Sequence, residues 1–190
     1  MSLFTLLLWG TLIFAQETLP CRIAIDEVDP FDSLRTIASE SVALGYLIPS
    51  QYETIDGPKL IEEADAIMLY SETDSISGFF LNLSLPEYRI QPVEAGFNVK
   101  FLLADSTVIG FYTFSEQGDF DRSINMRYYH HTAAIPLDYY YRIAFQEVMM
   151  IRVEYKRKVR TLTLNAKQRR ELQRIIQCVG ERAGLYPVKP

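Results

Sequence analysis

Residues 148–184 read VMMIRVEYKRKVRTLTLNAKQRRELQRIIQCVGERAG, and their pattern changes period once. VMMIRVEY (148–155) and KRKVRTLTL (156–164) read as a strand pair, with Val159, Thr161 and Thr163 alternating against Arg160, Leu162 and Leu164. From Asn165 the period lengthens. Asn165 with Gln168 three residues on matches a capping box, in which each residue satisfies an otherwise unpaired N–H of the first helical turn. Leu172, Ile175, Ile176, Val179 and Ala183 then recur at the spacing of a helix that buries one face, and Gly184 stands where such a helix stops. Lys167, Arg169, Arg170, Glu171, Arg174 and Arg182 take the opposite side. Two strands followed by an amphipathic terminal helix predict an α+β fold: a mostly antiparallel sheet, curled or sandwiched, with the C-terminal helix packed on it.

Working back toward the N-terminus adds strands. FNVKFLLA (97–104) and TVIGFYTFS (107–115), joined by ADST, form the clearest hairpin, with Phe97, Val99 and Phe101 assigned to one face. FFLNLSL (79–85) alternates, as do CRIAIDEV (21–28) and, up to Gly45, SLRTIASESVAL (33–44). KLIEEADAIMLY (59–70) is ambiguous between helix and strand. IPLDYYYRIAFQEV (135–148) reads as a helix entered at Pro136, with Leu137, Tyr140, Tyr141, Ala144 and Val148 on one face. Residues 116–134, polar and aromatic, read as a long loop.

The 190 residues are 48% hydrophobic and 23% charged, which excludes a disordered chain, and 9 Gly with 9 Pro exclude collagen-like sequence. LFTLLLWGTLIFA (3–15) carries no charge. As a helix it spans about 20 Å, short of a ~30 Å hydrocarbon core. It therefore reads as the apolar region of a signal peptide, residues 1–16, cleaved near Ala15-Gln16. Residues 17–190 are then expected to be one exported domain, periplasmic or secreted, without a transmembrane anchor. Export makes a bridge between Cys21 and Cys178 chemically permissible, and the absence of C-x-x-C argues against thiol catalysis.

The formal charge of −5 conceals a gradient: residues 1–95 hold 4 basic and 15 acidic side chains, residues 96–190 hold 15 and 9. The basic run includes Arg157, Lys158 and Arg160. It reads either as a face for an anionic partner or as the counter-charge of the acidic N-terminal strands. The acidic total and the lack of a reader motif exclude nucleic acid as the expected partner. Aromatics crowd between Phe111 and Tyr141, and Tyr128, Tyr129, Tyr139, Tyr140 and Tyr141 are candidates for peptide or sugar recognition because tyrosine pairs a broad apolar face with a polar tip. His130 and His131, with Asp119 or Asp121, are the candidate acid–base set. As neighbours in regular structure the two imidazoles point apart, so they are not expected to share one metal; one of them with Asp119 or Asp121 has donors that suit zinc, but no metal site is assigned and no motif calls for a cofactor. The acidic run Asp26, Glu27, Asp29 and Asp32 lacks the order of a calcium loop. Asn82-Leu83-Ser84 spells a glycosylation acceptor inside a predicted strand.

In plan, with a leader ending at Ala15-Gln16, an Asp26-Glu27-Val28-Asp29 strand, paired strands from Phe97 and a basic stretch running from Arg152 to a terminal helix at Gly184, the chain resembles uncharacterised small exported bacterial proteins. That resemblance implies no reaction and transfers no catalytic residue. The leading expectation is an exported, non-enzymatic binding module whose aromatic and basic C-terminal half engages an envelope protein, a peptide or an anionic glycan. The alternatives are a hydrolase with a histidine–carboxylate site in 119–131 and a structural component of the cell envelope.

Overall fold

The computed structural model describes residues 20–49 and 56–185; the predicted signal peptide lies outside them. Among the described residues, eleven strands form one antiparallel sheet: β1 (Ile23–Val28), β2 (Arg35–Ser39), β3 (Val42–Leu47), β4 (Ile61–Glu72), β5 (Ser77–Glu87), β6 (Gly96–Leu103), β7 (Val108–Thr113), β8 (Asp119–Asp121), β9 (Met126–Ile135), β10 (Val148–Glu154) and β11 (Val159–Thr163). The helices are α1 (Leu137–Phe145) and α2 (Ala166–Arg182). The sheet order is β1-β2-β4-β5-β9-β7-β6-β10-β11, with β3 also pairing β4 and β8 also pairing β9. This is the mostly antiparallel α+β architecture with a helix on the sheet that the sequence predicts.

The sheet curls. Five strands separate β11 from β4, yet Arg160 of β11 donates to the Glu63 carbonyl of β4 at 3.2 Å and to the Pro86 carbonyl of β5 at 2.9 Å. Helix α2 lies across the concave side. At one end Arg169 pairs with Glu147 beside β10 at 3.2 Å; at the other Arg182 and Arg35 share Asp26 of β1 at 2.5 and 3.2 Å. Its predicted stripe Leu172, Ile175, Ile176 and Val179 is buried in the core with Met68, Leu81, Phe101 and Ile151 of the inward sheet face. The capping box forms as read: the Asn165 side chain accepts from the Lys167 and Gln168 amides at 2.9 and 3.0 Å, and Gln168 accepts from the Asn165 amide at 2.8 Å. Gly184 takes φ +78° just past the helix, a left-handed position that glycine adopts without strain.

Four local expectations change. Residues 59–70 resolve into β4, with Ala64, Ala66, Met68 and Tyr70 buried on alternate positions. Residues 116–134 are no loop: they hold β8 and most of β9, and β9 pairs β5 from Phe79↔Ile135 to Glu87↔Arg127. A histidine at a core position and tyrosines on both faces conceal the alternation there. Helix α1 ends at Phe145, so Val148 opens β10 and does not extend the helical face, and Leu137 is half exposed. On β6 a register shift between Gly96 and Val99 inserts one extra residue, so Phe97 turns outward while Val99 and Phe101 stay in the core.

Cys21 and Cys178 form the disulfide, with Cα atoms 5.3 Å apart across a sequence separation of 157. It ties the segment leading into β1 to the C-terminal part of α2. In the last turn of α2, Gly180 leaves room for the Tyr140 hydroxyl, which donates to the Ile176 carbonyl at 3.3 Å. A Cβ built at Gly180 would lie 1.8 Å from that hydroxyl oxygen.

Two outcomes follow from this packing. Under non-reducing conditions the intact mass is two hydrogens below the dithiol value, and Cys21→Ser with Cys178→Ser lowers unfolding free energy by up to about 4–5 kcal/mol in the chain-entropy account. Gly180→Ala, read by urea denaturation, destabilises by about 1–3 kcal/mol through overpacking, whereas alanine at an ordinary helix position would stabilise.

Candidate recognition surfaces

The adjacent histidines separate as strand geometry requires. His131 points inward and has no exposed surface. Its Nε2 lies 3.4 Å from the Tyr155 hydroxyl, and its Nδ1 is buried without a hydrogen-bond partner among the described residues. Burial, with a smaller contribution from His130, pulls its pKa down to about 4, so the ring is neutral near physiological pH.

His130 points outward. Its Nδ1 is 2.9 Å from Ser84 Oγ, and its Nε2 is 3.9 Å from Asp119, whose side chain is almost wholly in solvent. Cross-strand pairing sets Asp65 of β4 beside Ser84 of β5 and Ser84 beside His130 of β9. Burial raises the Asp65 pKa, opposed by hydrogen bonds from Ser41 and Ser84 and by the charge of His130. The row thus runs carboxylate, serine, imidazole. A nucleophilic triad needs the imidazole between the other two, where it can take the serine proton while the carboxylate orients it. Asp121 is occupied as a turn former, accepting from the Ser123 amide at 2.8 Å. Among the described residues no three His, Cys, Asp or Glu side chains group so as to hold a metal.

The tyrosine candidates divide. Tyr129 and Tyr140 have no exposed surface and belong to the core, so neither touches a partner. Tyr129 accepts from the Gln91 amide at 2.7 Å, and Tyr140 stacks on Phe79 with centroids 3.9 Å apart. Tyr139 and Tyr141 pack partly buried against the core. Tyr128 is half-buried on the outer face, where burial raises its pKa, helped by Asp121.

An exposed group of aromatics in mutual contact lies elsewhere. On the outer face of β6 and β7 and just beyond, Phe97, Tyr112 and Phe114 are 64%, 45% and 53% exposed. Phe97 meets Tyr112 edge-to-face at 5.6 Å, and Tyr112 meets Phe114 at 6.4 Å. Val108 and Met150 extend the apolar surface, and Lys100 and Arg152, direct cross-strand partners, flank it. Lys100 is held by Glu154 at 2.7 Å; Arg152 makes no ion pair among the described residues. Tyr112 and Phe114 stand inside the aromatic cluster visible in the sequence. Phe97 escapes that reading because only the bulge turns it outward.

The basic segment is largely spoken for. Lys158 pairs with Glu87 at 2.5 Å, Arg160 with Glu63 at 3.2 Å and with Glu87 at 3.3 Å, and Lys156 with Glu94 at 2.9 Å. Acidic residues of the N-terminal half are thus met by basic ones of the C-terminal half. Arg160 is mostly buried and acts as a strut across the curl, whereas Arg157 is exposed. Asn82 lies mid-strand with its carbonyl oxygen buried, so the glycosylation triplet is not presented. Comparison with protein-family models, curated proteins and solved structures finds no significant match.

His131 yields a pH prediction. Its folded pKa of about 4 lies below the ordinary 6.5, so the unfolded chain binds the extra proton between those values. Stability is therefore lost as pH falls from about 6.5 to about 4, by up to ~3 kcal/mol from this residue. Urea titrations across that range should show the slope reduced in His131→Leu; an unchanged slope would mean that His131 is not held neutral.

Proposed function

We propose that the chain is an exported, non-enzymatic binding module that engages its partner through the outer face of β6, β7 and β10. The carrying observation is the ribbon of Phe97, Tyr112 and Phe114, exposed and in mutual edge-to-face contact beside Lys100 and Arg152. Rings already braced by one another lose little side-chain entropy on binding, and an exposed aromatic group of this kind is the usual centre of a recognition site. The partner is an envelope protein, a peptide or an anionic glycan, with Arg152 meeting its charge. The disulfide suits an oxidising compartment, and no helix among the described residues is long and apolar enough to cross a membrane.

A hydrolase is the second reading, favoured by the Ser84–His130 hydrogen bond next to Asp65. It ranks below binding because Ser84 is almost buried and its hydroxyl serves the two side chains on either side of it.

The test is an array of anionic glycans and envelope-derived peptides probed with labelled protein. Phe97→Ser, Tyr112→Ser and Phe114→Ser together should weaken binding by about 100-fold, the loss of roughly 1 kcal/mol per ring, with little change in unfolding free energy. Undiminished binding by the triple variant would move recognition to another surface. Ester or amide cleavage abolished by His130→Ala would install the hydrolase reading instead.

A further inference from the structure

A second place carries charge that the fold does not neutralise. Strand β5 ends at Glu87 and the β10–β11 turn spans 155–158, and both lie at the same end of the curled sheet. Between them is a cavity of 360 Å³ lined by Glu87, Tyr88, Arg89, Gln91, Arg157 and Lys158. Its walls are fixed from behind. The Glu87 side chain is only 5% exposed and is held by Lys158 and Arg160, and Arg160 is anchored in turn on Glu63 and the Pro86 carbonyl.

These pairs decide the charge left over. Glu63 and Glu87 balance Arg160 and Lys158. Arg89 and Arg157 remain, and neither makes an ion pair or hydrogen bond among the described residues. Two guanidinium groups lining one cavity leave it with an excess of positive charge, which favours an anion there. Guanidinium also has the donor geometry for it: two parallel N–H groups match the two oxygens of a carboxylate, phosphate or sulfate.

Size narrows the ligand further. A cavity of 360 Å³ falls within the range of small-molecule sites and is several times larger than a bare phosphate. Tyr88 on one wall supplies an aromatic surface, and Gln91 and Lys158 supply polar groups. We propose that this cavity binds a sugar-sized molecule bearing an oxyanion, with Arg89 and Arg157 clamping the anionic group and Tyr88 lining the carbohydrate. The site is separate from the aromatic ribbon and stands or falls independently of it.

Isothermal titration calorimetry on the purified full chain at low ionic strength tests this. The probes are glucose 6-phosphate, glucose 6-sulfate, glucuronate, glucose and inorganic phosphate. At least one acidic sugar should bind, glucose should not, and inorganic phosphate should bind at least about tenfold more weakly than the best acidic sugar. Arg89→Ala with Arg157→Ala should weaken binding by about 100-fold, whereas Arg89→Lys with Arg157→Lys should retain part of it. Arg170→Ala, an exposed cation on α2, should change nothing, and near-UV circular dichroism should confirm that all variants are folded. The proposal is overturned if no acidic sugar binds, if the double alanine variant binds like the parent, or if Arg170→Ala loses as much. Phosphate binding as tightly as the sugar phosphate would overturn the carbohydrate part and leave a simple anion site.

Discussion

The apolar stripe of α2 seated in the concave side of the curled sheet is the contact on which the rest depends. A sheet with one buried face needs a second layer, and here a single helix provides most of it. Burying Leu172, Ile175, Ile176 and Val179 contributes about 1.5–3 kcal/mol per side chain, before the entropy of ordering them is subtracted. Because α2 touches β2, β3 and β4 on one flank and β10 on the other, that burial also holds the two flanks of the sheet together. The remaining ties follow the same line. Cys178 binds the helix to the segment before β1, Arg182 to Asp26, and Gln173 and Gln177 to the Ala144 carbonyl of α1.

How much of this was legible depends on whether the deciding interaction was local. The capping box, the α2 stripe and the β6–β7 and β10–β11 hairpins are set by residues a few positions apart, and they form as read. Strand β9 depends on pairing with β5, more than forty residues away, and its inward set of Tyr129, His131, Ala133 and Ile135 includes a polar ring that breaks the expected pattern. Strand β4 contains Glu-Glu-Ala, good helix material, and only its neighbours β2, β3 and β5 make it a strand. The site residues obey the same rule. Crowded aromatics around 111–141 include Tyr112 and Phe114, which the structure leaves exposed, but burial of Tyr129 and Tyr140 and the outward turn of Phe97 follow from a sheet register that no short window contains.

One group of buried polar side chains is gathered together: Tyr129, His131, Tyr155 and Glu87 converge inside the sheet near the end where β5 stops, whereas Ser39, Ser84 and Thr113 are buried elsewhere. Burial, reinforced by the charge of Glu87, raises the Tyr155 pKa, and burial lowers that of His131, so both stay neutral. Neutral Tyr155 and His131 meet each other at 3.4 Å, and Tyr129 meets the Gln91 amide. Only Glu87 carries charge in this group, and Lys158 and Arg160 answer it. A polar interior of this kind is tolerable because its members are uncharged or paired; the unpartnered Nδ1 of His131 is the exception.

The charge gradient along the chain therefore has a structural meaning that net charge alone conceals. Antiparallel curling brings the C-terminal strands against the ends of β4 and β5, and most of the basic excess is consumed there and along α2. Arg160 shows the effect best: it is prominent in a basic run, yet it lies mostly buried between two glutamates and two backbone carbonyls. A cation used this way maintains the curl, because removing it would leave Glu87 short of one partner in a nearly buried position. Arg89, Arg152 and Arg157, like Arg122, Arg142 and Arg170, are left exposed and without a carboxylate among the described residues. What sets the first three apart is their surroundings: Arg89 and Arg157 line one cavity, and Arg152 flanks the apolar surface on the outer face of β10, so these are the unspent charges placed to meet an anion.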